Sequence, residues 1–347
     1  MTNKINVVID KKVINKITDS DKYEYIYIFD DESMEELIDL NMNCVHKNYI
    51  HTIEYVDINL TNYNIECLKK ANINDKNWDN IPPKKDFKIA IIIPNYNYEE
   101  WIDKCLSSIA NQTYKNYEVI FIDDVSTDNS VKIAETFKDK MNIKIVRLKQ
   151  KRYNGGARNE AYLHLSDDVD YVWYVDSDDW ITEDALEKIN NKLQTRPDVL
   201  FIGMSEYNGR TTVMYAKPQY KDRYEAIEGW SGSCGKVIKK ELATKQECLY
   251  NEGTLKEDKN QHRRICIYMK TFANLKDSIY VWNRTNTKSV TTIREKIMWG
   301  TSTIRHYADT LQLALSVKGK DKKIDEILEQ KVAITKQVVE SGGDKQF

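Results

Sequence analysis

The stretch KIAIIIPNYN, residues 88–97, decides the fold. Between Lys88 and Pro94 it is wholly apolar, as in a strand buried on both faces. Downstream, YEEWIDKCLSSIANQ (98–112) carries Trp101, Cys105, Leu106 and Ile109 at helical spacing. Then come a strand, YEVIFIDD (117–124), and a helix, STDNSVKIAETFKDKM (126–141), with Ser126 or Thr127 placed to cap it. The strand IKIVRL (143–148) precedes a glycine turn opening the helix GGARNEAYLHL (155–165). DYVWYVD (170–176) is a fourth strand and DVLFIGM (198–204) a fifth. Between them TEDALEKINNKL (182–193) keeps Leu186, Ile189 and Leu193 on one helical face. Strand and helix alternate throughout, which predicts an α/β fold with a mostly parallel sheet. Ligands of such sheets bind beyond the carboxyl ends of the strands. Three polar clusters stand there: Asn95-Tyr96-Asn97, Asp123-Asp124 and Asp176-Ser177-Asp178-Asp179.

The flanks differ in character. Residues 1–84 read as a small α/β unit, with strands INVVID, YEYIYIFD and TIEYVDI and helices SMEELIDL and IECLKKA. NWDNIPPKKD (77–86) reads as a linker. A catalytic-sized region follows over 85–300. A helical segment, 301–347, carries Ile324, Ile327, Leu328, Val332 and Val339 in a rough stripe. Packing on the body explains that stripe, and a homo-oligomer contact is the alternative. The net charge of −2 gives no general attraction to nucleic acid or anionic membrane. The six cysteines form no C-x-x-C pair, so a zinc site or disulfide framework is not indicated. No apolar run approaches a membrane span, and the N-terminus lacks a signal-like apolar region. The expected location is cytoplasmic, or peripheral at the inner face of the membrane.

Each cluster has a chemical and a plain reading. Asp176 and Asp178 could hold Mg²⁺ or Mn²⁺ through oxygen. Alternatively Asp178 or Asp179 caps the next helix, a task Thr182 could equally perform. Asp123 and Asp124 could accept from a base N–H or a sugar hydroxyl, or serve as caps. In NGGARN (154–159), Gly155 and Gly156 permit close backbone approach and Arg158 could clamp a phosphate. Glu257 and Asp258 could supply a general base, though alone they read as charged surface.

Taken in order, IAIIIPNYN, VIFIDDVSTDNS, NGGARN, VDSDD and KED resemble the family 2 glycosyltransferases of the GT-A nucleotide-sugar fold. CGKVIKKEL (234–242) and IYVWNRTNTKSVT (279–291) resemble segments of the same family. The resemblance covers roughly residues 87–292. It implies a UDP-sugar donor, a divalent metal (Mn²⁺ or Mg²⁺) and inversion at the anomeric carbon. It places Pro94, Tyr96 and Glu100 around the nucleotide, and Asp123 at the uracil with Asp124 nearby. Arg158 falls by the base or diphosphate, and Asp176, with Ser177 beside it, at the ribose or donor sugar. Asp178 becomes the metal ligand, shared with Asp176. Asp258 becomes the catalytic base, with Glu257 supporting it or touching the acceptor.

Two departures stand out. Val125 occupies the place where the family usually has glycine, and the turn before Arg158 is short. QHRRI (261–265) has Ile265 where processive synthases carry Trp, so addition of one or a few sugars is expected. The implied acceptor is a surface glycan or cell-wall polymer, as in polysaccharide biosynthesis. A protein side chain or hydroxymethylated DNA is the alternative, the latter using Lys149, Lys151, Arg152, Arg263 and Arg264. A haloacid-dehalogenase-like phosphatase would use Asp176 as nucleophile, but Trp180 stands where a small hydroxyl residue or Val is needed. A binding-only, degenerate transferase would not need every acid that is present.

Overall fold

In the computed structural model the described residues are 85–216, 218–287 and 296–341, together with four N-terminal strands. Two compact units result: Met1–Asp86 with Asn190–Arg196, and Phe87–Ile189 with Pro197–Phe347. In the first, β1 (Val7–Ile9), β2 (Asp19–Ile28) and β3 (Val45–His46) pair in parallel, and β4 (Tyr55–Asn59) joins β2 antiparallel. The expected helices at 33–40 and 65–71, and 77–84 of the expected linker, lie outside the described residues.

The second unit is built on a nine-stranded sheet. Its first half is β5 (Ile89–Asn95), β6 (Tyr117–Asp123), β7 (Ile143–Arg147) and β8 (Tyr171–Tyr174), all parallel. The residues Ile89–Ile93 are fully buried, and each such isoleucine stabilises by about 1.5–3 kcal/mol. Helices α1 (Ile102–Ala110), α2 (Ser130–Glu135) and α3 (Tyr153–Ala161) connect these strands. On α1 the buried residues are Ile102, Cys105, Leu106 and Ile109, so the expected stripe is the core face; Trp101 precedes the helix, half-buried.

Beyond β8 the sheet becomes mixed. The chain passes through β9 (Trp180–Ile181), α4 (Ala185–Leu193), β10 (Val199–Tyr207) and β11 (Thr212–Ala216). There follow α5 (Arg223–Glu228), β12 (Lys236–Lys239), α6 (Lys240–Ala243), α7 (Glu257–Tyr268) and β13 (Phe272–Asn283). β12 is antiparallel to both β8 and β10, while β10 and β13 run parallel. The α/β class holds, with its parallel character concentrated in the first half.

Two local expectations are corrected. Ser126 and Thr127 do not cap α2. The Ser126 hydroxyl accepts from the Asn97 N–H and the Asn95 amide, and Asp128 Oδ1 accepts from the Ser130 N–H at 3.0 Å. Nor is NGGARN a turn ahead of its helix, because α3 begins at Tyr153 and contains both glycines. A Cβ on Gly155 would lie 2.5 Å from the Asn251 carbonyl oxygen, so the close approach is to the protein's own backbone. Val125 has φ +67°, a left-handed conformation costly for a β-branched residue. This explains why glycine suits the position.

Helices α8 (Lys296–Val317) and α9 (Lys322–Glu340) belong to the same compact unit as the sheet. Ile324, Ile327 and Leu328 are buried, as packing on the body requires; Val332 and Val339 are half-buried. A buried polar cluster ties α8 to α7. The Asn260 amide donates to Asp309 Oδ2 at 2.8 Å and to Thr310 Oγ1 at 3.0 Å, and Arg264 pairs with Asp309. His306 lies against the same amide. Burial pushes this imidazole down to about 3, and Arg263, Lys259, Lys256 and Arg264 add to the effect.

Two outcomes are expected. Val125→Gly should stabilise by about 1 kcal/mol, the relief of left-handed strain less the added chain entropy, read as a higher urea midpoint. For His306, the unfolded imidazole takes its proton near 6.5 and the folded one near 3. Stability is therefore lost as pH falls through that window, by at most about 1.4 kcal/mol per pH unit. The urea midpoint of His306→Gln should fall less between pH 7.5 and 5 than that of the wild type; equal slopes would contradict this.

Candidate active site

The carboxyl ends of the parallel strands converge in register, Asn95 opposite Asp123 and Asp123 opposite Arg147. The two carboxylates of IDD are engaged by the protein itself. Asp123, fully buried, accepts from the Ser126 N–H at 3.1 Å and the Asn95 amide at 3.3 Å. Asp124 accepts from the backbone N–H groups of Arg152 and Tyr153 at 2.7 and 2.8 Å. They thus hold together the loops that frame the site. Pro94 is buried within β5, Glu100 is exposed, and Tyr96 is exposed with the Lys151 ammonium over its ring. Burial pushes Lys151 down to about 8, against the opposing charges of Asp124 and Asp123. Beside these loops opens a cavity of about 320 Å³, lined by Glu100, Tyr98, Trp101, Thr127, Asp128 and Asn286 among others.

Arg158 joins two motifs that the sequence separates widely. On α3, with 3% of its surface exposed, it donates from Nη2 to Asp176 Oδ1 at 2.8 Å and from Nη1 to Glu257 Oε1 at 3.0 Å. The rings of Tyr174 and Tyr250 flank it, with centroids 5.8 and 5.3 Å away. Burial alone would weaken its hold on the proton, but Asp176, Tyr250 and Glu257 outweigh this and raise it well above the ordinary value. Among the described residues its buried Nε–H has no hydrogen-bond partner.

The acids after β8 divide by role. Asp179 is a clamp. It accepts from the Tyr280 hydroxyl at 2.5 Å and from the Asn283 N–H at 2.7 Å, pinning the loop to β13. Neither it nor Asp178 caps α4; the Thr182 hydroxyl bonds Asp184 instead. Asp178 accepts from the Asn286 amide at 2.7 Å. Burial and then the charge of Asp176 push Asp178 up to about 6. Ser177 is buried, and among the described residues its hydroxyl has no hydrogen-bond partner. Among the described residues no group of three or more His, Cys, Asp or Glu side chains forms a closed metal cage. Hard carboxylate oxygens crowded enough to repel one another do fit a divalent cation that completes its shell with phosphate and water.

Glu257 and Asp258 open α7. Burial pushes Glu257 up to about 7, against the pull of Arg158. Asp258 is half-buried and likewise raised by burial, opposed by Arg158, Lys236 and Lys259. Lys236, 1% exposed, donates to the Ser231 and Gly232 carbonyls at 3.2 and 2.7 Å. Burial lowers it to about 8. The structure thus joins Asp176, Arg158 and Glu257 by direct contact and sets Asp178 and Asp258 in their field. Asp123 and Asp124 form a neighbouring group. Sequence reasoning missed Asn286, Asn283, Tyr280 and Lys236. The only signal was that IYVWNRTNTKSVT and CGKVIKKEL resembled family segments.

Residues 90–252 match the model of glycosyl transferase family 2. That region of the chain belongs to the family. GlyA, a glycosyltransferase of Streptococcus pneumoniae, is 41% identical over 109 residues, 31% of this chain and 15% of GlyA. The poly(ribitol-phosphate) beta-N-acetylglucosaminyltransferase TarS of Staphylococcus aureus is 33% identical over 126 residues, 35% of this chain and 22% of TarS. These matches span less than a quarter of either relative. The S. aureus TarS 1–349 structure in complex with UDP-GlcNAc superposes with a TM-score of 0.60 at 23% identity, over 72% of this chain and 71% of that one. The chain therefore shares the GT-A fold of that structure. Among its described residues no helix is long and apolar enough to cross a membrane.

Arg158→Ala should leave the buried Glu257 carboxylate and the half-buried Asp176 unpaired and cost about 3 kcal/mol. Arg158→Lys should recover only part of this, because one ammonium cannot reproduce the two-pronged contact. Urea denaturation of both variants tests this, and an unchanged midpoint in Arg158→Ala would refute it.

Proposed function

We propose that the chain transfers a hexose or N-acetylhexosamine from a UDP-sugar to an acceptor hydroxyl, with inversion and without processive elongation. The observation carrying this reading is the Asp176–Arg158–Glu257 chain of contacts at the strand ends, with Asp258 next along α7. Inversion is one in-line displacement at C1. Asp258, its proton affinity raised by burial, takes the acceptor's proton as the C1–oxygen bond forms. Arg158, whose guanidinium charge lies against Asp176 at the strand ends, stabilises the departing UDP. Asp178, with Asp176, would hold a divalent cation, whose contribution is to offset charge on the leaving diphosphate. Tyr96, Pro94 and Glu100 border the nucleotide, and Asp123 and Asp124 shape its loops. No covalent enzyme intermediate is needed.

A glycan or cell-wall polymer is the favoured acceptor, in keeping with the ribitol-phosphate polymer named for TarS. A DNA groove receives less support. Arg152 is paired with Glu160 and Glu252 and Arg264 with Asp309, so these cations are already partnered.

The test is UDP release from a panel of UDP-sugars with Mn²⁺, Mg²⁺ or EDTA. Release from one sugar, lost in EDTA, is expected; no release from any, with no UDP binding, would sink the reading. Asp258→Asn should keep UDP affinity and slow transfer by about 10²–10⁴-fold. Near wild-type transfer would place the base elsewhere. Asp178→Asn should remove the metal-dependent rate while the thermal midpoint is kept.

A further inference from the structure

Three successive residues, Tyr250, Asn251 and Glu252, fasten the segment that leads to α7 onto α3. Asn159 bonds the Tyr250 backbone in both directions, donating to its carbonyl at 2.9 Å and accepting from its N–H at 3.0 Å. The Asn251 carbonyl takes the space that a Cβ on Gly155 would fill. Glu252 receives Arg152 on both oxygens, from Nε at 3.0 Å and from Nη2 at 2.6 Å. The remaining Nη1 of Arg152 donates to Glu160, further along α3, at 2.6 Å. This fork lies over Gly156. A Cβ there would stand 2.4 Å from Arg152 Cβ, 3.2 Å from its Nε and 3.3 Å from Glu252 Oε2. The close approach that Gly156 permits is therefore taken by an ion pair of the protein. Through its backbone the same arginine belongs to the other side of the site. Asp124, at the end of β6, accepts from the N–H groups of Arg152 and Tyr153. Tyr153 is held at φ +59°, a strained conformation that persists only where its surroundings fix it.

We infer that Arg152 and Glu252 are positioning residues of the transfer reaction: their ion pair fixes the segment before Asp258 against the loop that frames the nucleotide. Four residues separate Glu252 from Glu257. Within them the Leu255 N–H donates to the Ser302 hydroxyl at 3.0 Å and Lys256 to the Thr303 hydroxyl at 2.7 Å, while the Gly253 carbonyl accepts from Arg305. The segment is thus held between α3 and α8, and Arg152 is the contact whose own backbone is bonded to Asp124. The two side chains are 26% and 41% exposed, so the pair adds little to global stability. Its geometry is nonetheless specific, because a guanidinium meeting both carboxylate oxygens sets direction as well as distance. Misplacing a reacting group by about 1 Å costs up to about a hundredfold in rate. A contact of small energy therefore suffices to govern turnover. The inference rests on Asp258 being the base of a transferase.

The experiment is a double-mutant cycle in the full chain: Arg152→Gln, Glu252→Gln and the two together. Each protein is assayed for UDP release from the UDP-sugar that the wild type accepts, with water as acceptor. UDP affinity is read by calorimetry and stability from the urea midpoint. Each single variant should lower kcat about tenfold or more, with donor KM, UDP affinity and midpoint close to those of the wild type. The double variant should be no slower than the slower single, because both remove the same contact. Arg152→Lys should recover part of the rate, since an ammonium cannot reproduce the fork. A purely structural role would move the midpoint and leave kcat per folded molecule unchanged. Unchanged kcat in the singles, or losses that multiply in the double, would overturn the inference. So would UDP affinity that falls in step with kcat, which would put Arg152 on the nucleotide itself. Release that responds to Asp258→Asn but not to the cycle removes the inference alone, whereas no release from any UDP-sugar removes the transferase reading and the inference with it.

Discussion

Arg158 is buried with its guanidinium between Asp176 and Glu257, partners 18 and 99 residues away in the chain. A cation so far from water is tolerable only while both contacts persist. Much of the local architecture serves them. On α3, Gly155 lets the helix settle onto the Asn251 backbone, which brings the segment leading to α7 within reach. Tyr174 and Tyr250 close over the guanidinium, and the Tyr250 hydroxyl is held by Ser233 at 2.9 Å. The end of β8 supplies Asp176, α7 supplies Glu257, and Arg158 joins the two halves of the site.

Asp179 sets a second constraint. Three acids within four residues repel one another, and burial worsens the repulsion. The loop keeps its shape because Tyr280 and Asn283 reach it from β13, and Asn286 takes Asp178. Reactive groups are held by residues that take no part in the reaction proposed for them, and the repelling charges stay available.

What could be read in advance follows from the range of the interactions. The strands announced themselves because Ile89–Ile93 and Val119–Ile122 are buried on both faces, and the core face of α1 showed as a spacing of three and four. Arg158 was legible as a cation following glycines. Its partners were not, since ion pairs across 99 residues leave no periodic trace. The α2 cap was misplaced for a local reason. Ser126, Thr127, Asp128 and Asn129 all suit a helix start, and only the fold shows that Ser126 is committed to Asn95 and Asn97. Glu257, in isolation a surface charge, became an interior residue once α3 packed against its helix. Val125 was visible as an anomaly, and its left-handed backbone gave the anomaly a cause.

The first turn of α7 meets two surroundings at once. Glu257 is bonded to Arg158, while Lys259, two residues on, lines a cavity of about 400 Å³ beside α5, α8 and α9. A rigid helical turn cannot shift at one of these residues and stay fixed at the other. A substitution that releases Glu257 from Arg158 therefore bears on the placement of Lys259 as well.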